Sequence, residues 1–264
     1  AAEAWLSRGV PLITAGPKIN LWRAPIDNDV HLKKQWMEAG YDRLIGQPKR
    51  IEADIGECGE ARIEVESLLG ARGHPPAFRT KLVWRIRKDG AAAVEAELIP
   101  CRDGLPPLPR FGIELRMPGR FDRFAWFGRG PHECYADRKE IGKLGLYAGT
   151  VQEQFVPYIR PQENGNKADV RWAEVTGAGG FGLRFAGDLP LNVSVHHYST
   201  EDMTASSHVH LLTRLDETIV KIDAAQSGIG NHSCGDAPLL DACKLKAEAQ
   251  RFAVTIRPVH HDPA

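Results

Sequence analysis

Phe111-Gly112-Ile113-Glu114-Leu115-Arg116-Met117 decides the fold class. Its large apolar side chains fall on every second residue, with Gly112, Glu114 and Arg116 between them. Successive side chains of a strand point to opposite faces, so this period of two marks an extended segment with one face toward a core. The rhythm spreads outward. Upstream, Ile63 and Val65 alternate with Glu64 and Glu66, and Val94, Ala96 and Leu98 with Glu95 and Glu97. Leu82, Trp84 and Ile86 alternate with Lys81, Arg85 and Arg87, with Val83 on the charged side. Downstream, Phe181-Leu183-Phe185, Leu191-Val193-Val195, the short apolar run Ile219 to Asp223 and Phe252-Val254-Ile256 read as strands, and Val209 and Leu211 fall in another. Turn clusters such as Arg72-Gly73-His74-Pro75-Pro76 and Gly104-Leu105-Pro106-Pro107 separate them. There is no βαβ rhythm, so the class is all-β, an antiparallel sandwich or barrel. The clearest helix is short, His31 to Gly40, with Leu32, Gln35, Trp36 and Ala39 on one side and Gly40 as its stop.

The 264 residues can bury a sizeable core, and no composition break divides them, so one domain over 1–264 is expected. A formal net charge of +0 argues against a nucleic-acid or anionic-membrane partner held by bulk electrostatics. No apolar run approaches a membrane span, and Ala1-Ala2-Glu3-Ala4-Trp5 shows no signal-peptide pattern. The five cysteines, Cys58, Cys101, Cys134, Cys234 and Cys243, are odd in number and scattered, which fits a reducing cytoplasm better than a disulfide framework. Among the ten histidines, His208 and His210 would share one face of a strand, yet no third ligand accompanies them, and no metal site is expected.

Chemistry-bearing side chains gather in a few loops. Phe121, Phe124, Trp126 and Phe127 form a strand that stops at the sharp loop Gly128-Arg129-Gly130-Pro131. Glu133, Asp137 and Arg138 follow. They read as a structural brace, because arginine forks onto carboxylates. Removing one member of such a pair, if buried, costs about 3–5 kcal/mol, so Arg138→Ala is expected to lower stability strongly. Asp27-Asn28-Asp29 forms an acidic turn after an aromatic strand end. Val156 to Asn166 holds the Asn164-Gly165 turn signal among Arg160, Gln162, Glu163 and Asn166. Such a loop suits a hydroxyl-rich ligand or a packing surface.

Lys18–Asp29 (KINLWRAPIDND), Trp126–Lys139 (WFGRGPHECYADRK), Pro157–Trp172 (PYIRPQENGNKADVRW) and Gly228–Gly235 (GIGNHSCG), in that order, resemble the C-terminal, small-chain domain of bacterial β-galactosidases of glycoside hydrolase family 2, the lactose-operon type. The resemblance covers nearly the whole chain. It implies a large antiparallel β supersandwich similar to galactose mutarotases. It also implies that the acid/base and nucleophile glutamates lie on a TIM barrel outside this chain, as the absence of any (β/α) pattern agrees. A start at Ala1 is compatible with an excised domain.

In that family the domain packs on the barrel portion, in the same polypeptide or a large subunit, and helps close the active-site rim. Mapped by motif, rim or interface positions here are Asp27, Asn28, Asp29, Glu163, Asn164 and Ile219. Ile219 stands where a sugar-stacking tryptophan is found, and Cys234 where some members carry tryptophan. The resemblance implies no cofactor in this chain, although parent enzymes often use Mg and Na. Two other readings compete. A stand-alone mutarotase-like epimerase would need a carboxylate base and a histidine acid, for which Glu163, His197 and His208 are the candidates. A carbohydrate-binding module would stack sugars on Trp84, Trp126 or Trp172.

Overall fold

The computed structural model describes residues 4–7, 9–56, 59–230 and 238–261, so Cys58, Cys234 and most of the GIGNHSCG tail lie outside the described residues. In chain order the elements are β1 (Trp5–Ser7), β2 (Val10–Ile13), β3 (Ala15–Asn20), α1 (Val30–Ala39), β4 (Ile45–Ile55), β5 (Ala61–Gly70), β6 (Phe78–Ile86), β7 (Ala92–Pro100), β8 (Arg110–Pro118), β9 (Arg123–Gly130), β10 (Lys143–Thr150), β11 (Lys167–Thr176), β12 (Phe181–His196), α2 (Thr200–Ala205), β13 (Glu217–Gln226) and β14 (Gln250–His260). The pairings among these strands are antiparallel. The class is all-β, as the period of two requires.

The long strand β12 joins two leaves. Its residues 181–187 pair with β14, which leads through β7, β6 and β5 to β4. Its residues 192–196 pair with β13, which leads through β8 to β3. Asp188, Leu189 and Pro190, where it passes between partners, are exposed. Strands β11, β9 and β10 extend from its other side. Between the leaves lies one apolar cluster. It takes Phe111, Ile113, Leu115 and Met117 from β8, and Val220 and Ile222 from β13. Phe78, Leu82, Val94 and Leu98 of the other leaf belong to the same cluster. Each such side chain contributes about 1.5–3 kcal/mol on burial.

Helix α1 runs almost where its spacing predicts. Leu32 and Trp36 are its buried residues, and Gly40, at φ 78°, ends it by donating its N–H to the Met37 carbonyl. Trp36 Nε1 donates to the Pro107 carbonyl at 2.7 Å, and Tyr41 Oη to that of Pro106 at 3.0 Å. The helix is thereby anchored on the Gly104–Pro107 turn.

Two expectations need correction. Val209–Leu211 is a single 3-10 turn rather than a strand. Two alternating apolar residues carry too little pattern to hold a strand beside the short helix α2, and Leu211 is 53% exposed. Strand β9 also does not stop at Gly128; it stays paired with β10 through Gly130. Its glycines serve close approach instead. A β-carbon at Gly128 would lie 2.9 Å from the Val170 Cα, and one at Gly130 would lie 2.9 Å from the Trp126 ring. No helix among the described residues is long and apolar enough to cross a membrane.

Candidate functional site

One face of the β8–β13–β12 sheet carries polar side chains inside the molecule. Along β13, Ile219, Lys221 and Asp223 face away from the core residues Val220 and Ile222. Asp223 lies beside Arg110, at the start of β8, whose Nε reaches its Oδ1 at 3.1 Å. The same guanidinium donates through Nη1 to Glu163 Oε2 at 3.1 Å. Arg110 and Asp223 are 0% exposed and Glu163 4%. Gln226 donates to Asp223 at 3.1 Å and to Asn166 Oδ1 at 3.0 Å, and Asn166 donates to the Cys134 carbonyl at 2.7 Å. Lys221 Nζ donates to the Thr200 hydroxyl at the start of α2.

The covering loops are pinned from above in the same style. Arg23 pairs with Asp29, Nη2 to Oδ1 at 2.6 Å, and donates to the carbonyls of Ser227 at 2.6 Å and Gly228 at 3.0 Å. Asp29 also accepts the Ile26 N–H at 3.0 Å. Asn28 Nδ2 donates to the Ile229 carbonyl at 2.9 Å. Asp137 accepts the N–H groups of Ile229 and Gly230 at 3.0 and 2.9 Å. The Asp27 N–H donates to Gln162 Oε1 at 3.2 Å, and the Glu163 N–H to the Ala24 carbonyl at 3.0 Å. Segments 23–29, 162–166 and 226–230, remote in sequence, thus form one rim.

Burial and charge set the protonation states. Burial pushes the Glu163 carboxyl up, but Arg110, Lys221 and the neighbouring cations outweigh it and hold it below its ordinary value. For Asp223 burial wins over Arg110, and its pKa is raised. Burial, then the adjacent Arg110, lowers Lys221. Burial, then Lys221, drives His196 from 6.5 to about 3, so its ring is neutral at physiological pH. Its Nε2 lies 3.0 Å from the Asn164 carbonyl. Glu163 Oε1, Gln226 Oε1, Tyr135 Oη, His196 Nδ1 and Ser194 Oγ are buried without a hydrogen-bond partner among the described residues. A carboxylate held low beside one held high resembles an acid/base pair. Here both are buried and bridged by Arg110.

The expected positions fall out as follows. Asp27 and Asn28 are exposed on the rim, while Asp29, Glu163 and Asn164 are buried beneath it. Asn164 bonds inward, accepting the Val156 N–H at 3.0 Å. Ile219 is 1% exposed, paired with Arg116 and His196 on the flanking strands. Glu133 accepts the Tyr158 hydroxyl and, at 2.8 Å, the Gly165 N–H. Asp137 clamps 229–230. Arg138 does not complete the brace: its side chain is exposed and forms no ion pair among the described residues. The loop's ion pairs come instead from Asp169, which accepts Arg129 at 2.6 Å and Lys139 at 2.7 Å.

Glu163, His197 and His208, the epimerase candidates, do not hydrogen-bond one another: His197 contacts the Glu217 carbonyl and His208 the Ser207 hydroxyl. Trp84 and Trp126 are 7% and 2% exposed, and Trp172 lies under the Arg184 guanidinium at 4.6 Å. Trp84 and Trp126 are thus buried, and one face of the half-buried Trp172 is covered. Among the described residues no group of three or more His, Cys, Asp or Glu side chains is arranged to hold a metal. Arg23, Arg110, Lys221, Asp223 and His196 were missed from sequence. The available signal was Lys221 and Asp223 at alternate places in the apolar run Ile219–Asp223.

Fold and layer together define an antiparallel all-β domain whose loops are held by buried arginine–carboxylate pairs. Residues 1–256 match the family model described as beta galactosidase small chain, and the chain belongs to that family. It is 34% identical over 274 residues to a Vibrio cholerae beta-galactosidase, covering 97% of this chain and 25% of that protein. It is 33% identical over 224 residues to one from Priestia megaterium, covering 83% and 21%. The chain therefore spans about a quarter of the length of the curated relatives it matches. Among solved structures it overlaps the GalM/aldose epimerase homologue from C. elegans at a TM-score of 0.45 and 9% identity, covering 84% of this chain and 70% of that one. The overlap with galactose 1-epimerase from Lactobacillus acidophilus has a TM-score of 0.44 and 8% identity, covering 82% and 66%.

Proposed function

We propose that this chain is the non-catalytic small-chain domain of a β-galactosidase. Its partner is the catalytic portion of the same enzyme, which cleaves terminal β-D-galactosides in the cytoplasm. The observation that carries the reading is the joined rim: segments 23–29, 162–166 and 226–230 are tied edge to edge by Arg23, Asn28, Gln162 and Gln226, and Asp137 clamps 229–230 from outside them. A pre-organised rim of exposed Asp27 and Asn28 over buried, paired charges suits a surface that meets another portion and lines its substrate entrance. Asp29, Glu163 and Asn164 hold that rim from beneath. Retaining cleavage needs two carboxyl groups about 5–5.5 Å apart and open to the sugar, whereas Glu163 and Asp223 are enclosed around Arg110.

The test is an assay of the purified chain with a chromogenic β-galactoside, alone and after addition of the missing portion. No turnover is expected alone, and turnover on reconstitution. In the assembled enzyme Asn28→Ala should lower kcat/KM. Steady galactose release by the chain alone, lost in Glu133→Gln or Glu163→Gln, would make the domain itself the enzyme.

A further inference from the structure

We propose that a cleft between the free edges of the two leaves binds a small neutral saccharide. The cleft, ≈ 350 Å³, opens where β3 and the residues after it face β4, the free edge of the other leaf, and the adjoining strands β5 and β6. That volume lies at the small end of ligand pockets, which run about 300–1,000 Å³. It is separate from the rim described above and does not depend on the parent activity.

Its lining has the chemistry that recognises a polyhydroxylated ring. Trp22 supplies an indole, partly exposed and fixed in place: Nε1 donates to Thr204 Oγ1 at 3.3 Å, and the ring meets Trp36 edge-on at 6.0 Å. A rigid aromatic face stacks on the C–H face of a sugar at little entropic cost. Asn20 lies beside it, 9% exposed. Its Oδ1 accepts the Trp22 N–H at 3.2 Å, which orients the amide. Its Nδ2 is buried with no hydrogen-bond partner among the described residues. Such a donor is costly to leave unpaired, and a small shift of the amide toward the cleft, which Asn20 lines, would let a ligand hydroxyl relieve it. Ser67 and Thr80 add hydroxyl groups to the lining.

The cations around the cleft are each paired with a carboxylate. Lys18 pairs with Glu114 at 3.1 Å, and Arg43 with Asp42 at 2.7 Å. Glu201 adds an anionic side chain at the mouth. No unpaired cation is left among the cleft residues to favour a phosphate or carboxylate, so the ligand class is neutral.

The experiment is binding of galactose, glucose, lactose and cellobiose to the full chain by calorimetry and amide chemical-shift mapping, with glucose 6-phosphate as the charged control. At least one neutral sugar should bind and shift the amides of Asn20, Ser67 and Thr80. Trp22→Leu should weaken it by at least about tenfold. Ser67→Phe, which adds bulk to the cleft from β5, should do the same with an unchanged circular dichroism spectrum. Mapping on the unaltered chain keeps the test independent of either variant. Absence of binding by all four sugars, shifts confined to another surface, or tighter binding of glucose 6-phosphate than of glucose would overturn the proposal.

Discussion

Arg110 is the residue on which the interior polar layer turns. It donates to Asp223 and Glu163 at once, with all three side chains at 0–1% exposure. Removing it leaves two carboxylates buried without their counter-charge. Arg110→Met should cost about 3–5 kcal/mol by urea denaturation, since the penalty comes from the stranded charge rather than from lost packing. Arg110→Lys should not restore it, because an ammonium cannot fork onto both partners. The loop after β9 gives a graded comparison. Asp137 satisfies the N–H groups of Ile229 and Gly230, so Asp137→Ala should cost about 1–3 kcal/mol. Arg138→Ala should cost less than Asp137→Ala, reversing the weight that adjacency in sequence gives to Arg138. Melting temperatures of the two variants measure the order.

Strand β8 is the element that both faces of the structure share. Its apolar residues meet the core, while Gly112 lies against β13. A β-carbon at Gly112 would collide with the Asp223 carboxylate and the Ile222 carbonyl. Gly112→Ala should therefore cost about 1–3 kcal/mol, or more, by spreading β8 from β13. It should also disturb the Arg110 pair, so its effect and that of Arg110→Met should be non-additive in a double-mutant cycle. Gly112 sits in the run that decides the fold class, yet the pattern shows it only as a gap between apolar residues. That it is required for close approach depends on which strand lies beside it.

At the scale of the whole molecule, acid stability reports the buried layer. His196 is neutral when folded, its pKa lowered from 6.5 to about 3 by burial and by Lys221, with Glu163 and Arg110 also facing it. The unfolded chain takes up that proton near pH 6.5 and the folded chain does not. This contribution to stability is present above about pH 6.5 and is lost as pH falls toward 3. His196→Gln keeps an N–H donor for the Asn164 carbonyl but does not titrate. Its melting temperature should fall less steeply than that of the unaltered chain between those values. An identical slope would remove His196 from the account.

The sequence by itself determined the antiparallel all-β class, helix α1 with its Gly40 stop, and the turns at Asp27–Asp29 and Asn164-Gly165. These are local: a period of two, a left-handed glycine and a turn dipeptide act through neighbours in the chain. Only the tertiary structure decided which charges pair. Glu133, Asp137 and Arg138 stand close in sequence, but Asp137 reaches 229–230 and Glu133 reaches Tyr158 and Gly165. Arg110 finds Glu163 and Asp223, 53 and 113 residues away. A charge pattern along a chain does not encode its partner. Partnership is fixed by strand order, here by β12 holding two leaves and by β8 lying beside β13. The low dielectric of the enclosed face then makes each pairing obligatory.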